Sequence, residues 1–306
     1  MSKKEQSFIP GLGLGKIISA SRRTDIPSFY SRWFIERLRA GYVLVRNPFN
    51  YSQIRKVSLL PQDVSAIVFW TRDATPLIPF FDEIESKLIP FSFLWTITAY
   101  PKELEPNGVG LERGIETFIQ VAERVGKNRM AVRYDPIIIS KKFTPEWHFK
   151  VFSKIVRKLK NYTSRIIISI LTPYPTVMSR LKRIDETIVT NPLDRDDVRE
   201  LLVGMSEIAN QNDIPISACS MGGAMKEMGI EDAPCIDPVW LSNGLGIKVK
   251  YKKDKGQRHN CLCTESIDIG SYDTCPRMCM YCYAFKSRRR VLRNFLKHDV
   301  SSDILT

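Results

Sequence analysis

Three cysteines crowd together near the C-terminus, Cys275, Cys279 and Cys282, within the stretch CPRMCMYCYA. Their spacing is CxxxCxxC, and Tyr281 sets an aromatic ring directly before the last thiol. Zinc sites usually pair CxxC knuckles with a fourth ligand. Three close thiolates can instead hold three irons of a cubane and leave the fourth iron open to bind a cofactor. Cys261 and Cys263 stand upstream, one residue apart. Three roles are open to them: a fourth ligand that closes the cluster, part of a separate metal site, or bystander thiols. Cys219 and Cys235 read as core or loop thiols, with Cys219 at the end of a predicted strand, where it can face the same side. The chain has seven cysteines, an odd number gathered mostly near one end. In a reducing compartment they read as metal ligands rather than as a disulfide framework.

A second set of reactive residues sits where apolar runs end. SRRTDIP (Ser21 to Pro27), WTRDATP (Trp70 to Pro76), RYDPI (Arg133 to Ile137) and TPYP (Thr172 to Pro175) are the polar stretches. Arg22, Arg23, Asp25, Arg72, Arg133 and Asp135 are their charged members. A guanidinium fork suits a carboxylate or phosphate, and a neighbouring aspartate orients the fork or accepts protons from an amine. The set fits a small anionic or zwitterionic ligand; the plainer alternative is that the Arg–Asp pairs only brace their loops. Gly222 and Gly223 follow another predicted strand and offer backbone groups to the same ligand. GLGLG at 11–15 lacks the preceding strand that a phosphate loop requires and reads as a leader. His148, His259 and His298 show no ligand spacing.

These residues need elements to position them, and the periodicity supplies repeated βα units. GKIISAS precedes FYSRWFIERLRAG, SAIVFWT precedes TPLIPFFDEIESKL, and FLWTITAY precedes GLERGIETFIQVAERVG. RMAVRYDPIII then precedes TPEWHFKVFSKIVRKLKN, RIIISILTPYP precedes DRDDVRELLVGMSEIANQND, and PISACSM ends the series. Leu111, Ile115, Phe118, Ile119, Ala122 and Val125 share one helix face, as do Val198, Leu201, Leu202, Met205 and Ile208. Near-continuous apolar strands such as Ile166 to Ile170 belong in a parallel sheet buried on both faces. The expected fold is α/β: a complete or partial (β/α) TIM-like barrel over 1–220, with an open doubly wound sheet as the second choice. In a barrel, the rim at the C-terminal ends of the strands gathers the charged residues above. Beyond residue 220 the pattern lapses into a cysteine-rich segment, 221–306, expected to pack on the barrel rather than fold alone.

The 306 residues are 43% hydrophobic, enough for a full-sized core. The apolar runs are strand-length rather than membrane-length, and MSKKEQSFIPGLGLG lacks the apolar run of a signal peptide, so the expected location is cytoplasmic. The net charge of +13 concentrates around the cysteines, in KVKYKKDKGQR and FKSRRRVLRNFLKH. It leaves a polyanion among the possible partners.

The motif at 275–282 resembles that of the radical S-adenosylmethionine superfamily, CxxxCxΦC with Φ aromatic. The resemblance implies a 4Fe–4S cluster on Cys275, Cys279 and Cys282, and an open iron that chelates the amino and carboxylate groups of S-adenosylmethionine. It further implies an electron donor, cleavage of the sulfonium to a 5′-deoxyadenosyl radical, Tyr281 beside the adenine, and a (β/α) barrel. In that superfamily the motif follows the first strand, so its place at the far end here implies a permutation that sets the cysteines beside SRRTDIP. The remainder resembles the bacterial family called domain of unknown function 1848. SASRRTDIP (Ser19 to Pro27), NPFN (Asn47 to Asn50), VFWTRDATP (Val68 to Pro76), RYDPI, CID (Cys235 to Asp237), KDKGQRHNCLC (Lys253 to Cys263) and SIDIGSYDTC (Ser266 to Cys275) carry the likeness. The leading expectation is a radical S-adenosylmethionine enzyme acting on a small-molecule or nucleic-acid substrate, reaction unassigned. The alternative is a nucleic-acid-associated module with no catalytic cluster. There the cysteines and Cys263 hold a structural zinc or closed iron–sulfur site beneath a basic helix bearing Arg288, Arg289, Arg290 and Arg293.

Overall fold

The structure, a computed structural model, describes residues 15–305. Apart from Gly15, the GLGLG leader lies outside the described residues. Among the described residues nine strands form in chain order: β1 (Lys16–Ala20), β2 (Tyr42–Arg46), β3 (Ile54–Ser58), β4 (Val64–Thr71), β5 (Phe91–Thr96), β6 (Met130–Ile137), β7 (Arg165–Ile170), β8 (Ile216–Ala218) and β9 (Ile267–Asp268). The helices are α1 (Ile26–Phe29), α2 (Ser31–Ala40), α3 (Phe81–Ser86), α4 (Leu111–Val125), α5 (Pro145–Leu159), α6 (Pro175–Lys182), α7 (Asp196–Asn210), α8 (Pro238–Leu245) and α9 (Arg288–Leu296).

Seven strands make one parallel sheet in the order β8-β7-β6-β5-β4-β1-β9, and β2 and β3 form a separate antiparallel hairpin. From β1 to β8 the order never reverses, so the sheet is singly wound and lacks the switch point of a doubly wound fold. It is also open. Among the described residues β8 and β9 are not bonded to each other, which corrects the expectation of a complete barrel. A closed barrel needs every strand edge paired, and β8 and β9, the edge strands, span only three and two residues.

Side-chain alternation gives the sheet two unlike faces. Phe69, Phe93, Val132 and Ile168 point into a core with Phe34 of α2, Phe81 of α3, Phe118 of α4, Phe152 of α5 and Met205 of α7. Ile17, Val68, Leu94, Ala131 and Ile167 point the other way and pack on Cys235, Trp240, Leu241, Cys261 and Cys263. The C-terminal segment therefore covers the sheet's second face and contributes a strand to its edge. The run TPLIPFFDEIESKL departs from a single helix: Thr75–Phe80 is a 3-10 turn with Pro79 inside it, and α3 begins only at Phe81. Proline removes the donor that a continuous α-helix needs at that position. No described helix is long and apolar enough to cross a membrane.

Candidate metal and cofactor site

At the C-terminal ends of the strands lies a cavity of about 530 Å³, and Arg22, Arg23, Asp25, Arg72, Arg133, Asp135 and Tyr281 all line it. All seven cysteines line it as well. The cysteine loop does sit beside SRRTDIP. β9 pairs in parallel with β1, Ser19 opposite Asp268, and Asp268 accepts hydrogen bonds from Ser19 Oγ (3.0 Å), Ser21 Oγ (2.6 Å) and the Arg22 N–H (2.8 Å). Gly270 follows so closely that a Cβ there would stand 2.0 Å from Ser21 Oγ.

After β1 the chain turns through Ser21 to Asp25 into α1. Asp25 caps that helix by accepting from the Ser28 N–H at 3.2 Å. It accepts also from Thr71 Oγ1 (2.6 Å) and the Arg72 N–H (3.1 Å), and it pairs with the Arg277 guanidinium at 3.3 Å. Arg277 lies within the cysteine motif and donates further to Asn107 O (2.8 Å) and Ser28 Oγ (2.8 Å). Tyr30 donates to Thr274 O at 2.6 Å. Arg180 of α6 satisfies the carbonyls of Met280 (3.1 Å), Phe285 (2.6 Å) and Cys282. The loop has no regular ladder, so these side chains meet its backbone groups, which cannot be left buried and unpaired.

Arg72, just past β4, donates to Thr98 Oγ1 (2.9 Å), Glu105 (3.1 Å) and the Tyr281 hydroxyl. The Tyr281 hydroxyl in turn donates to Glu105, which is 2% exposed. Its ring lies 5.8 Å from Tyr100 in an edge arrangement. On β6, Arg133 and Asp135 form an ion pair, and Ser169 of β7 donates to Asp135. The β6–β7 ladder is irregular between Tyr134 and Ile137, where Pro136 has no N–H to give. Arg22 and Arg133 both lie over Trp70, at 5.1 and 4.7 Å from its centroid, and Arg23 lies over Tyr272 at 5.0 Å.

The thiols form two groups. Burial pushes Cys279 up to about 12 and raises Cys275 and Cys282 as well. The Ala284 N–H already points at Cys282 Sγ, 3.3 Å away. In the second group Cys235 donates to Cys219 across 3.2 Å, and Cys263 is within hydrogen-bonding reach of Cys235 and Cys261. Contact with Cys235 and Cys261, and then the charge of Arg22, holds Cys263 far below the usual thiol range. The Cys235 thiol is raised, first by Cys219 and then by Cys263. Among the described residues no three cysteine, histidine or carboxylate side chains converge as a finished metal cage. The second group is strung instead as a chain of neighbouring sulfurs.

Gly222 and Gly223 are not part of the cavity lining; the Gly223 N–H is committed to Asp232 at 3.0 Å. Sequence reasoning overlooked Glu105, Asp268, Arg180 and Arg277. Glu105 lies in the loop after β5, where the strand-end rule that found the arginines applies, whereas Asp268 ends β9, a strand too short to carry a signal. Arg277 sits between two motif cysteines. Arg180 carries no sequence signal, since its hydrogen bonds are all to backbone carbonyls. No curated protein matches the chain. The profile of the family described as Domain of unknown function (DUF1848) matches residues 17–284, a span that takes in the rim and every cysteine, and the chain belongs to that family.

Proposed function

We propose that this chain is a radical S-adenosylmethionine enzyme whose Cys275, Cys279 and Cys282 hold a 4Fe–4S cluster facing the cavity, with the rim binding cofactor and substrate. One observation carries the reading: the CxxxCxxC loop follows β9, on the free edge of β1, and faces the same cavity as the rim. Read from β9, the open parallel sheet begins with an edge strand that leads into the cysteine loop, the layout expected of a permuted chain.

The residues present fit such a group. Three thiols line the cavity, the Ala284 N–H is aimed at one sulfur, and Arg72 stands close enough to favour thiolate at Cys279 and Cys282. When bound, the cluster supplies the electron that cleaves the sulfonium cofactor. Arg133 and Asp135, partly exposed and adjacent, present opposite charges to the cavity, the pairing that a zwitterionic amino-acid group requires. Asp25 has its acceptor positions filled by four donors, so it fixes the loop rather than binding ligand. Tyr281 is held by Arg72 and Glu105, which orients its ring along the cavity wall.

The test is anaerobic reconstitution with iron and sulfide, followed by reductant and S-adenosylmethionine, with chromatography for 5′-deoxyadenosine. The wild-type chain forms it and Cys279→Ala does not. Wild-type protein that carries zinc at these thiols, or a cluster that yields no 5′-deoxyadenosine, would turn attention to a structural metal beneath the basic helix α9.

A further inference from the structure

We propose that Cys219, Cys235, Cys261 and Cys263 form a second thiolate-ligated metal centre on the sheet side of the cavity, separate from the cysteine loop at 275–282. They come from three segments that the fold brings to one place. The Cys219 N–H donates to Ile168 O of β7 at 2.8 Å, continuing the sheet past β8. Cys235 is fixed by Arg165, which donates to its carbonyl at 2.6 Å and to Pro234 O at 3.1 Å. Cys261 and Cys263 belong to a loop pinned by Cys261 N–H to Arg258 O (2.9 Å) and Asp254 N–H to Cys263 O (3.0 Å). All four side chains pack in one cluster with Ile17, Val68, Leu94, Ala131 and Ile167 of the sheet.

Buried cysteines often act as small apolar residues, but the surroundings here are not apolar alone. Arg22 Nη2, Arg133 Nε and Arg165 Nε are buried donors with no acceptor, although a buried donor left unpaired is costly. Arg165 is only 7% exposed. Three guanidinium groups with unused N–H bonds, gathered around four thiols, suit sulfur in its anionic form. Binding one divalent ion would send the thiol protons that remain to solvent and leave a doubly negative tetrathiolate, whose sulfurs can accept the unused N–H bonds of these arginines. Tetrahedral bonds of about 2.3 Å space neighbouring sulfurs about 3.8 Å apart. The 3.2 Å between Cys219 and Cys235 is within a small side-chain rotation of that edge. Four thiolates complete the coordination shell, so this centre holds the three segments together and takes no substrate. Zinc and an iron–sulfur cluster share this ligand chemistry.

The inference is independent of the reading of the 275–282 loop. Full-length protein carrying Cys275→Ala, Cys279→Ala and Cys282→Ala is purified anaerobically, and iron, zinc and acid-labile sulfide are measured per chain. About one metal centre per chain is expected to remain, as zinc without sulfide or as iron with it. Cys261→Ser in that background should lower the metal content several-fold. The wild-type chain gives a check that does not depend on a variant folding: alkylation with mass spectrometry should find Cys219, Cys235, Cys261 and Cys263 protected together and released together by a chelator. A variant lacking the 275–282 thiols that holds no metal, or a Cys219–Cys235 disulfide in anaerobically prepared protein, overturns the proposal. Metal confined to the four cysteines would support it while removing the case for the cluster at 275–282.

Discussion

Glu105 is the acid on which one side of the cavity depends. It is nearly inaccessible and is the ion-pair partner of Arg72, while also accepting from Tyr281. Removing one member of a buried pair strands the other charge. Glu105→Ala should therefore lower stability by about 3–5 kcal/mol, and Glu105→Gln by less because hydrogen bonding survives. Urea unfolding of both variants measures this; a loss below about 1 kcal/mol for Glu105→Ala would show that Arg72 finds water instead. The residue scale also separates what the sequence displayed from what it hid. Cys275, Cys279 and Cys282 announce themselves by spacing, and the rim residues by following apolar strands. The approach of Cys219 and Cys235 to Cys261 and Cys263 has no such signature, since it depends on how a distant segment covers the sheet.

The element that matters most is the shortest. β9 has two residues, too few for any periodic signal, and exists because β1 offers an unpaired edge. β4, β5 and β7, by contrast, run for six to eight residues with almost unbroken burial, and they are legible as apolar runs in the sequence. The hairpin of β2 and β3 was not anticipated, and its loop sends Phe49, 95% exposed, to the cavity edge. The Ile269 N–H donates to Ser19 O at 3.0 Å, which secures the chain entering the cysteine loop. Ile269→Pro removes that donor and should cost roughly 3 kcal/mol. It should also reduce iron retained after reconstitution, read against folded protein at the same temperature. Full iron retention in a folded Ile269→Pro protein would mean that Arg277 and Arg180 hold the loop without the strand. Gly270→Ala tests the same junction, and the clash with Ser21 should make it destabilising by about 1–3 kcal/mol in thermal unfolding.

At the scale of the molecule, the helical face of the sheet carries a titratable group that reports on folding. His148 is fully buried, between the Tyr134 hydroxyl at Nδ1 (2.7 Å) and Ile138 O at Nε2 (2.9 Å). A carbonyl can only accept, so Nε2 carries the proton and Nδ1 accepts from tyrosine. Burial pulls the imidazole from 6.5 down to about 4. Between those values the unfolded chain takes up a proton that the folded chain refuses. The stability due to neutral His148 is complete above about pH 6.5 and falls, by an amount on the order of 3 kcal/mol, as pH drops to about 4. Urea midpoints at about pH 7 and about pH 5 should differ less in His148→Gln than in wild type; an equal drop in both would assign the acid limb to other groups.

The most direct measurement is electron paramagnetic resonance of the reduced, reconstituted protein before and after adding S-adenosylmethionine, with Cys279→Ala alongside. A cubane signal that the cofactor perturbs in wild type, and that Cys279→Ala lacks, is the predicted result. A signal indifferent to the cofactor, or one unchanged by Cys279→Ala, would contradict an open iron at Cys275, Cys279 and Cys282.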